Sequence, residues 1–294
     1  MTAEDPRFLD YLKAWPQYLL PGHLVTRLVY PLVRVETPAV KDRLIRGFAD
    51  LYDVDLTEAE EPDPTAYPHF NAFFTRALRP GARPIAEDPA ALACPVDGTV
   101  SQCGPLDGDR LIQAKGHEYS LTALLGGSEG RAAAFRGGSF ATIYLSPRDY
   151  HRIHMPLGGR LTEMVHVPGR LFSVSPATTR AIPGLFARNE RVVCRFETDA
   201  GPMAMVLVGA TIVGGIETVW AGPVTPPAGR VVRRLGYPGD EAPSLQRGAE
   251  MGRFNVGSTV IVLFGADAVE WEPGLVPGAH VCMGQPVGRT LGAG

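Results

Sequence analysis

Four short stretches carry residue types that do acid–base or nucleophilic work. In Tyr144-Leu-Ser-Pro-Arg-Asp-Tyr-His-Arg-Ile-His-Met-Pro156, His151 and His154 stand three apart. On one helical turn that spacing puts both imidazoles on one side. The pair could be metal ligands, a general base with a helper, headgroup contacts, or two histidines satisfying backbone groups. A zinc site would want a third protein ligand, and none lies nearby in sequence. In Cys94-Pro-Val-Asp-Gly-Thr-Val-Ser101, Asp97 precedes a glycine at a turn entering a strand. Asp-Gly is a common hairpin turn, but an aspartate here could also orient a histidine and stabilise its protonated form. In Gly252-Arg-Phe-Asn-Val-Gly-Ser-Thr-Val-Ile-Val-Leu-Phe264, a Gly-Ser-Thr turn enters a strongly β segment. Gly257 has no side chain to shield its carbonyl. The Ser258 hydroxyl could attack that carbonyl if a base took its proton; the plain alternative is a loop ending at a strand. Lys115, in Gln113-Ala-Lys-Gly-His117, could form a Schiff base or carry a lipoyl group, though nothing around it suggests desolvation.

The elements that must position these residues are constrained by composition. The chain has 294 residues with 34 glycines and 27 prolines, well above ordinary usage. Such frequent turn residues exclude a long bundle or coiled coil and argue for many short strands. A hydrophobic content of 45% supports a real core, and a formal charge of −3 excludes a strongly basic nucleic-acid binder. The longest charge-free apolar stretch, residues 202–216, contains glycines and falls short of the roughly 20 residues a membrane span needs. The N-terminus lacks the basic start and apolar core of a secretory signal. Cys94, Cys103, Cys194 and Cys282 are scattered without a CxxC pair and read as reduced thiols.

The expected fold class is α+β: N-terminal amphipathic helices followed by a β-rich catalytic body of antiparallel or mixed sheets. Apolar residues recur at helical spacing over residues 8–48, broken by Pro16, Pro21 and Pro38. Residues 11–35 carry Lys13, Arg27 and Arg34 but no acid, beside Trp15, Tyr18 and Tyr30. Apolar faces with aromatic and basic edges suit the lipid headgroup boundary; the alternative is a helical cap on the protein's own core. An acidic run, residues 53–63, reads as a solvated connector, with Thr57 and Glu60 as a capping box. This places a helical segment at 1–65 and a catalytic domain at 66–294. One more helix is expected over 69–78, a short one capped by Ser120, and another over 178–188. Strands are expected at 99–103, 110–114, 141–145, 161–167, 191–197, 203–208, 211–216, 231–235 and 258–264.

Several strings in order resemble the phosphatidylserine decarboxylases, in their long bacterial and mitochondrial form. They are Phe73-Phe-Thr-Arg76, Pro95-Val-Asp-Gly98, Gln113-Ala-Lys-Gly-His117, Tyr144 to Pro156, Val167-Pro-Gly169, Leu185-Phe-Ala-Arg-Asn-Glu-Arg191, Val208-Gly-Ala-Thr-Ile-Val-Gly214, Ile216-Glu-Thr-Val-Trp-Ala-Gly222 and Glu250 to Val260. The family's Leu-Gly-Ser-Thr signature appears here as Val256-Gly-Ser-Thr259. The resemblance implies a zymogen that cuts itself between Gly257 and Ser258, into a β chain 1–257 and an α chain 258–294. It maps a self-cleavage triad onto Asp97, His154 and Ser258. Ser258 becomes a covalent pyruvoyl cofactor that forms a Schiff base with the substrate amine, and His151 is the candidate proton donor in decarboxylation. The implied partners are phosphatidylserine in the bilayer and the chain's own fragments as an α/β heterodimer, with a dimer of heterodimers as the family-based expectation. No metal and no nucleic acid are implied. The implied location is peripheral, at the cytoplasmic face of the cell membrane.

Three other readings make different predictions. A serine hydrolase using the same triad would stay intact and be labelled at Ser258. A non-enzymatic lipid-binding module would show no cleavage. A metal hydrolase built on His151 and His154 would be sensitive to chelators.

Overall fold

Eight strands organise the site in the computed structural model, which describes residues 8–114, 117–210, 215–225, 231–255 and 258–292. They are β1 (Gly98–Pro105), β2 (Ser139–Leu145), β3 (Arg152–His154), β4 (Gly159–Val167), β5 (Arg191–Thr198), β6 (Gly201–Val208), β7 (Glu250–Phe254) and β8 (Ser258–Phe264). The large sheet has 9 strands and includes the order β4-β5-β6-β8-β2-β1. All of its ladders are antiparallel.

β8 sits in the middle of this sheet because its sequence, Ser-Thr-Val-Ile-Val-Leu-Phe, is apolar on both faces. Alternation sends Val260, Val262 and Phe264 into one core and Ile261 and Leu263 into another. A smaller sheet of 4 strands carries β7 and β3 together with Ile216–Thr218 and Gly222–Pro223. Ile153, Met251 and Phe254 from this sheet share a core with Val260 and Val262, so one face of it packs on the large sheet. The chain passes from β7 in the small sheet to β8 in the large one through residues 255–257.

The N-terminal helices are α1 (Phe8–Ala14), α2 (Gly22–Leu32) and α3 (Pro38–Tyr52). One side of this segment docks on the body. Asp10 is bound through both carboxylate oxygens by Arg180, at 2.9 and 3.0 Å. Gln17 accepts from the Ser173 N–H at 2.8 Å, and the Gly169 carbonyl lies 2.8 Å from His23 Nε2. The other side leaves Phe8, Leu12, Trp15, Leu19 and Leu28 exposed. The segment therefore caps the body and also presents an exposed apolar face. Among the described residues, no helix is long and apolar enough to cross a membrane.

Local expectations were met where the signal was local. Ser120 caps Leu121–Leu124 by accepting from the Ala123 N–H. The strands at 110–114 and 258–264 fall on the expected residues. Four expectations change. The Thr57–Glu60 capping box does not form, because Asp55 Oδ1 takes the Thr57 N–H at 2.8 Å in a tight turn and Ala59 bridges Leu78. For the same reason the helix expected to reach residue 78 ends early, as α4 (Phe70–Phe74). The segment 178–188 splits into Pro176–Ala181 and Leu185–Arg188, because Pro183 intervenes and Gly184 takes a left-handed φ of 65°. The strand expected at 231–235 lies at Arg233–Gly236, on the sheet edge. Part of the strand expected at 211–216 lies outside the described residues; Ile216–Thr218 forms the described part.

Candidate active site

Ser258 opens β8 at the corner between the two sheets. It pairs with Leu145 at the end of β2, and its neighbour Thr259 pairs with Val208 at the end of β6. The side chain is fully buried, and Oγ has no hydrogen-bond partner among the described residues. A buried hydroxyl without a partner is costly, so its retention points to chemistry. Gly257 and Val256 lie outside the described residues.

The approach to this corner is pinned. The Asn255 N–H donates to the Gly215 carbonyl at 2.8 Å, and Asn255 Nδ2 donates to Glu217 at 2.9 Å. Asn71, from α4, donates to the Asn255 carbonyl at 3.0 Å. Gly215 is required here, since a Cβ on it would lie 2.4 Å from Asn255 Nδ2. Gly98 is required for a similar reason: its Cβ would meet the Tyr144 carbonyl at 2.4 Å, where β1 crosses β2. Asn71, Asn255 and Glu217 were not singled out from sequence. Glu217 and Asn255 fall within the family-like strings, and Asn71 lies just ahead of the first of them.

The two histidines do not share a side. They stand at and just before β3, where alternation puts residues three apart on opposite faces. His151 precedes β3, and its ring packs on Phe74 of α4. His154 closes β3 and is held by Tyr150 and Gly248. The helical-turn expectation is thus corrected, and the pair does not converge on one ion.

His151 is fully buried, with its ring centroid 4.1 Å from that of Phe74. Its Nδ1 lies 2.7 Å from the Asp149 carbonyl, which can only accept, so Nδ1 carries the proton. Nε2 is then a bare lone pair, with no partner among the described residues. Burial pushes its pKa down to about 3, opposed by the Asp149 bond and aided by the Arg76 charge.

His154 follows the same tautomer logic with different partners. Nδ1–H donates to the Gly248 carbonyl at 2.8 Å, and Nε2 accepts from the Tyr150 hydroxyl at 3.0 Å. Burial also lowers the His154 pKa, against the Gly248 bond.

Asp97 is close to this histidine through the backbone, since the His154 N–H donates to the Pro95 carbonyl at 2.9 Å. Its carboxylate, however, is taken by Arg83, with contacts of 3.0, 3.1 and 2.6 Å, and by the Met283 N–H at 2.7 Å. Asp97, chiefly, holds the Arg83 pKa up against burial, and Glu58, 2.8 Å from the guanidinium, adds to it. Among the described residues, no hydrogen bond links the side chains of Asp97, His154 and Ser258. Lys115 lies outside the described residues.

Two cavities flank the corner. One of about 790 Å³ is walled by Leu32, Leu44 and Phe48 of the N-terminal helices and by Tyr144, Leu145 and Ala210. It reaches the residue paired with Ser258, and its wall is mostly apolar. The other, of about 300 Å³, is lined by charged groups including Arg76, Arg83, Asp97 and Asp149.

A family model described as phosphatidylserine decarboxylase matches residues 70–289, and a second, described as PSD, matches residues 12–53. The chain belongs to the phosphatidylserine decarboxylase family. Among its curated relatives is the phosphatidylserine decarboxylase proenzyme of Alkalilimnicola ehrlichii, 57% identical over 279 residues, covering 95% of this chain and 96% of that one. The proenzyme of Shewanella frigidimarina is 55% identical, covering 96% and 99%, and that of Nitrosococcus oceani 56% identical, covering 98% and 94%. As in the rest of the phosphatidylserine decarboxylase match, the corner residues Asn71, Glu217 and Asn255 fall inside the matched range.

Burial of neutral His151 has a consequence for stability. Its pKa of about 3 in the folded chain lies below the ordinary 6.5, so the unfolded chain takes up a proton first as pH falls. The stabilisation is full above roughly pH 6.5 and is lost progressively below it. Between pH 7 and pH 5 this group alone is expected to cost about 2 kcal/mol, with His154 acting in the same direction. Urea unfolding of the Ser258→Ala chain at the two pH values measures this, and His151→Gln is expected to shrink the difference.

Proposed function

We propose that this chain decarboxylates phosphatidylserine to phosphatidylethanolamine and carbon dioxide, after cutting itself between Gly257 and Ser258. The reading is carried by Ser258 Oγ, buried and without a hydrogen-bond partner among the described residues, at the head of a strand whose partner Leu145 walls an apolar cavity.

In the self-cleavage step, His154 accepts the Ser258 proton and Oγ adds to the Gly257 carbonyl. The residue 258 nitrogen leaves as an amine, so an ester replaces the amide. Loss of the residue 258 α-proton breaks the ester by elimination, and Gly257 departs as a carboxylate. Hydrolysis of the remaining imine releases ammonia and leaves a ketone. The products are residues 1–257 and 258–294, the second beginning with a covalent pyruvoyl group.

Ser258 fits that conversion: its oxygen makes no hydrogen bond among the described residues, and β8 is clamped between β2 and β6. The step requires the His154 lone pair to leave Tyr150 and the Asp97 carboxylate to turn from Arg83. His154→Ala is therefore expected to leave the chain whole, which an intact mass spectrum detects.

The pyruvoyl ketone supplies an electron sink for the pair released as carbon dioxide leaves. In this reading His151, whose Nε2 is bare among the described residues, is the proton donor to the α-carbon. The apolar cavity suits acyl chains, which cost roughly 0.8 kcal/mol per CH₂ if exposed to water.

The exposed face of Trp15, Leu19 and Leu28 rests on the cytoplasmic surface of the cell membrane in this reading. Leu19→Asp with Leu28→Asp is expected to weaken sedimentation with phosphatidylserine liposomes at least tenfold while self-cleavage continues. These substitutions are a cleaner test than deleting residues 1–50, which would also remove the Asp10 and Gln17 contacts and a wall of the cavity. The cleaved fragments are expected to stay together as an α/β pair that can dimerise. Intact mass of the purified chain, with and without hydroxylamine, tests the whole reading: two fragments are expected, and the shorter one gains an oxime. A single unmodified mass from active material would overturn it.

A further inference from the structure

Arg76 is 4% exposed and lies just beyond α4, where no salt bridge neutralises it among the described residues. Burial lowers its pKa. A guanidinium buried in this way needs a reason. Its Nη2 donates to the Arg148 carbonyl at 2.8 Å and reaches the Asp149 carbonyl at 3.4 Å. The Asp149 carbonyl is also the acceptor of His151 Nδ1–H. Two residues before Arg76, the Phe74 ring packs on the His151 ring; one residue before, the Thr75 carbonyl accepts from Arg152 at 3.0 Å. Residues 74–76 thus grip residues 148–152 at three successive points. Nε and Nη1 of Arg76 have no partner among the described residues.

We propose that Arg76 is a positioning residue for decarboxylation, holding the 148–149 carbonyls so that His151 keeps its Nδ1–H tautomer and presents a bare Nε2. The inference rests on the role given to His151 above. Which ring nitrogen carries the proton is set by the bond the other makes, so a free Asp149 carbonyl would let the tautomers mix.

The charges around His151 come from three elements. Arg76 comes from the end of α4. The His151 segment brings Asp149, whose carboxylate takes the Ser146 N–H at 2.6 Å, and Arg152, paired with Glu250 at 3.0 Å. β7 brings Glu250 and Arg253, the latter paired with Glu217 at 2.8 Å. Of these, Arg76 is the charge that acts on the ring, and it opposes protonation.

The test is NMR of the full chain labelled with ¹⁵N-histidine, as parent, Arg76→Gln and Arg76→Lys, with His151→Gln to assign the signal. In the parent, His151 is expected to show one Nδ1–H tautomer without titrating between pH 8 and pH 5. In Arg76→Gln the tautomers are expected to mix, and the titration to move up by about one unit or more. Arg76→Lys keeps the charge but not the two-carbonyl grip, so mixing without the full titration shift is expected. Both variants are expected to lose kcat about tenfold or more with KM nearly unchanged. Parent-like His151 signals in both variants would overturn the proposal. So would failure of both variants to fold, since Arg76 would then hold the scaffold rather than the histidine. Full turnover in His151→Gln would instead remove the decarboxylation role of His151 and leave the NMR result standing.

Discussion

Ser258→Ala is expected to give one unbroken chain with no hydroxylamine-reactive carbonyl and no decarboxylation above background. The substitution removes a single oxygen from a site where that oxygen makes no hydrogen bond among the described residues. Fold and stability should therefore be nearly unchanged, and the loss would be chemical rather than structural. The parent should behave oppositely under denaturation and in native conditions. After cleavage at residue 257, β8 remains between β2 and β6, His280–Val281 remains paired with β1, and Pro286–Thr290 with Ala91–Ala93. The Asp97 carboxylate also holds the Met283 N–H across the two fragments. The fragments should thus run as one species by native size and separate only in denaturant. A cleaved Ser258→Ala chain, or an uncleaved parent that turns over substrate, would end the pyruvoyl reading.

His151→Ala should separate the two reactions. The variant is expected to fragment like the parent and then to decarboxylate 10²–10⁴-fold more slowly, about the range typical for loss of a positioned acid–base group. His151 packs on Phe74 with Nε2 unpartnered among the described residues, whereas the His154 ring is held by Tyr150 and Gly248. Gel analysis of fragments alongside carbon dioxide release from phosphatidylserine vesicles reads both steps in one preparation. Parent-level turnover by a fully cleaved His151→Ala protein would exclude it from proton transfer. An uncleaved variant would assign His151 to self-cleavage.

The contrast between these histidines shows how far the sequence reaches. Both were legible as candidates, because HxxH beside a strand end is a local pattern. Their orientation was not, because three-residue spacing means one face on a helix and two faces on a strand, and the choice was made by pairing of Arg152–His154 with β7. The same holds for Thr57 and Glu60, whose capping pattern lost to an Asp55 side chain two residues away.

By itself, the amino-acid sequence determined the β-rich body with helices ahead of it, the central strand at 258–264 and the family likeness. Each of these is written in contiguous residues, as period, turn chemistry or motif. Tertiary structure alone decided what surrounds the reactive groups: Arg83 on Asp97, Tyr150 on His154, Asn71 on Asn255 and Arg76 on the Asp149 carbonyl. The physical reason is that a hydrogen bond depends on ångström distances between groups that are mostly far apart along the chain. Those distances exist only after the two sheets have packed and closed the corner at Ser258.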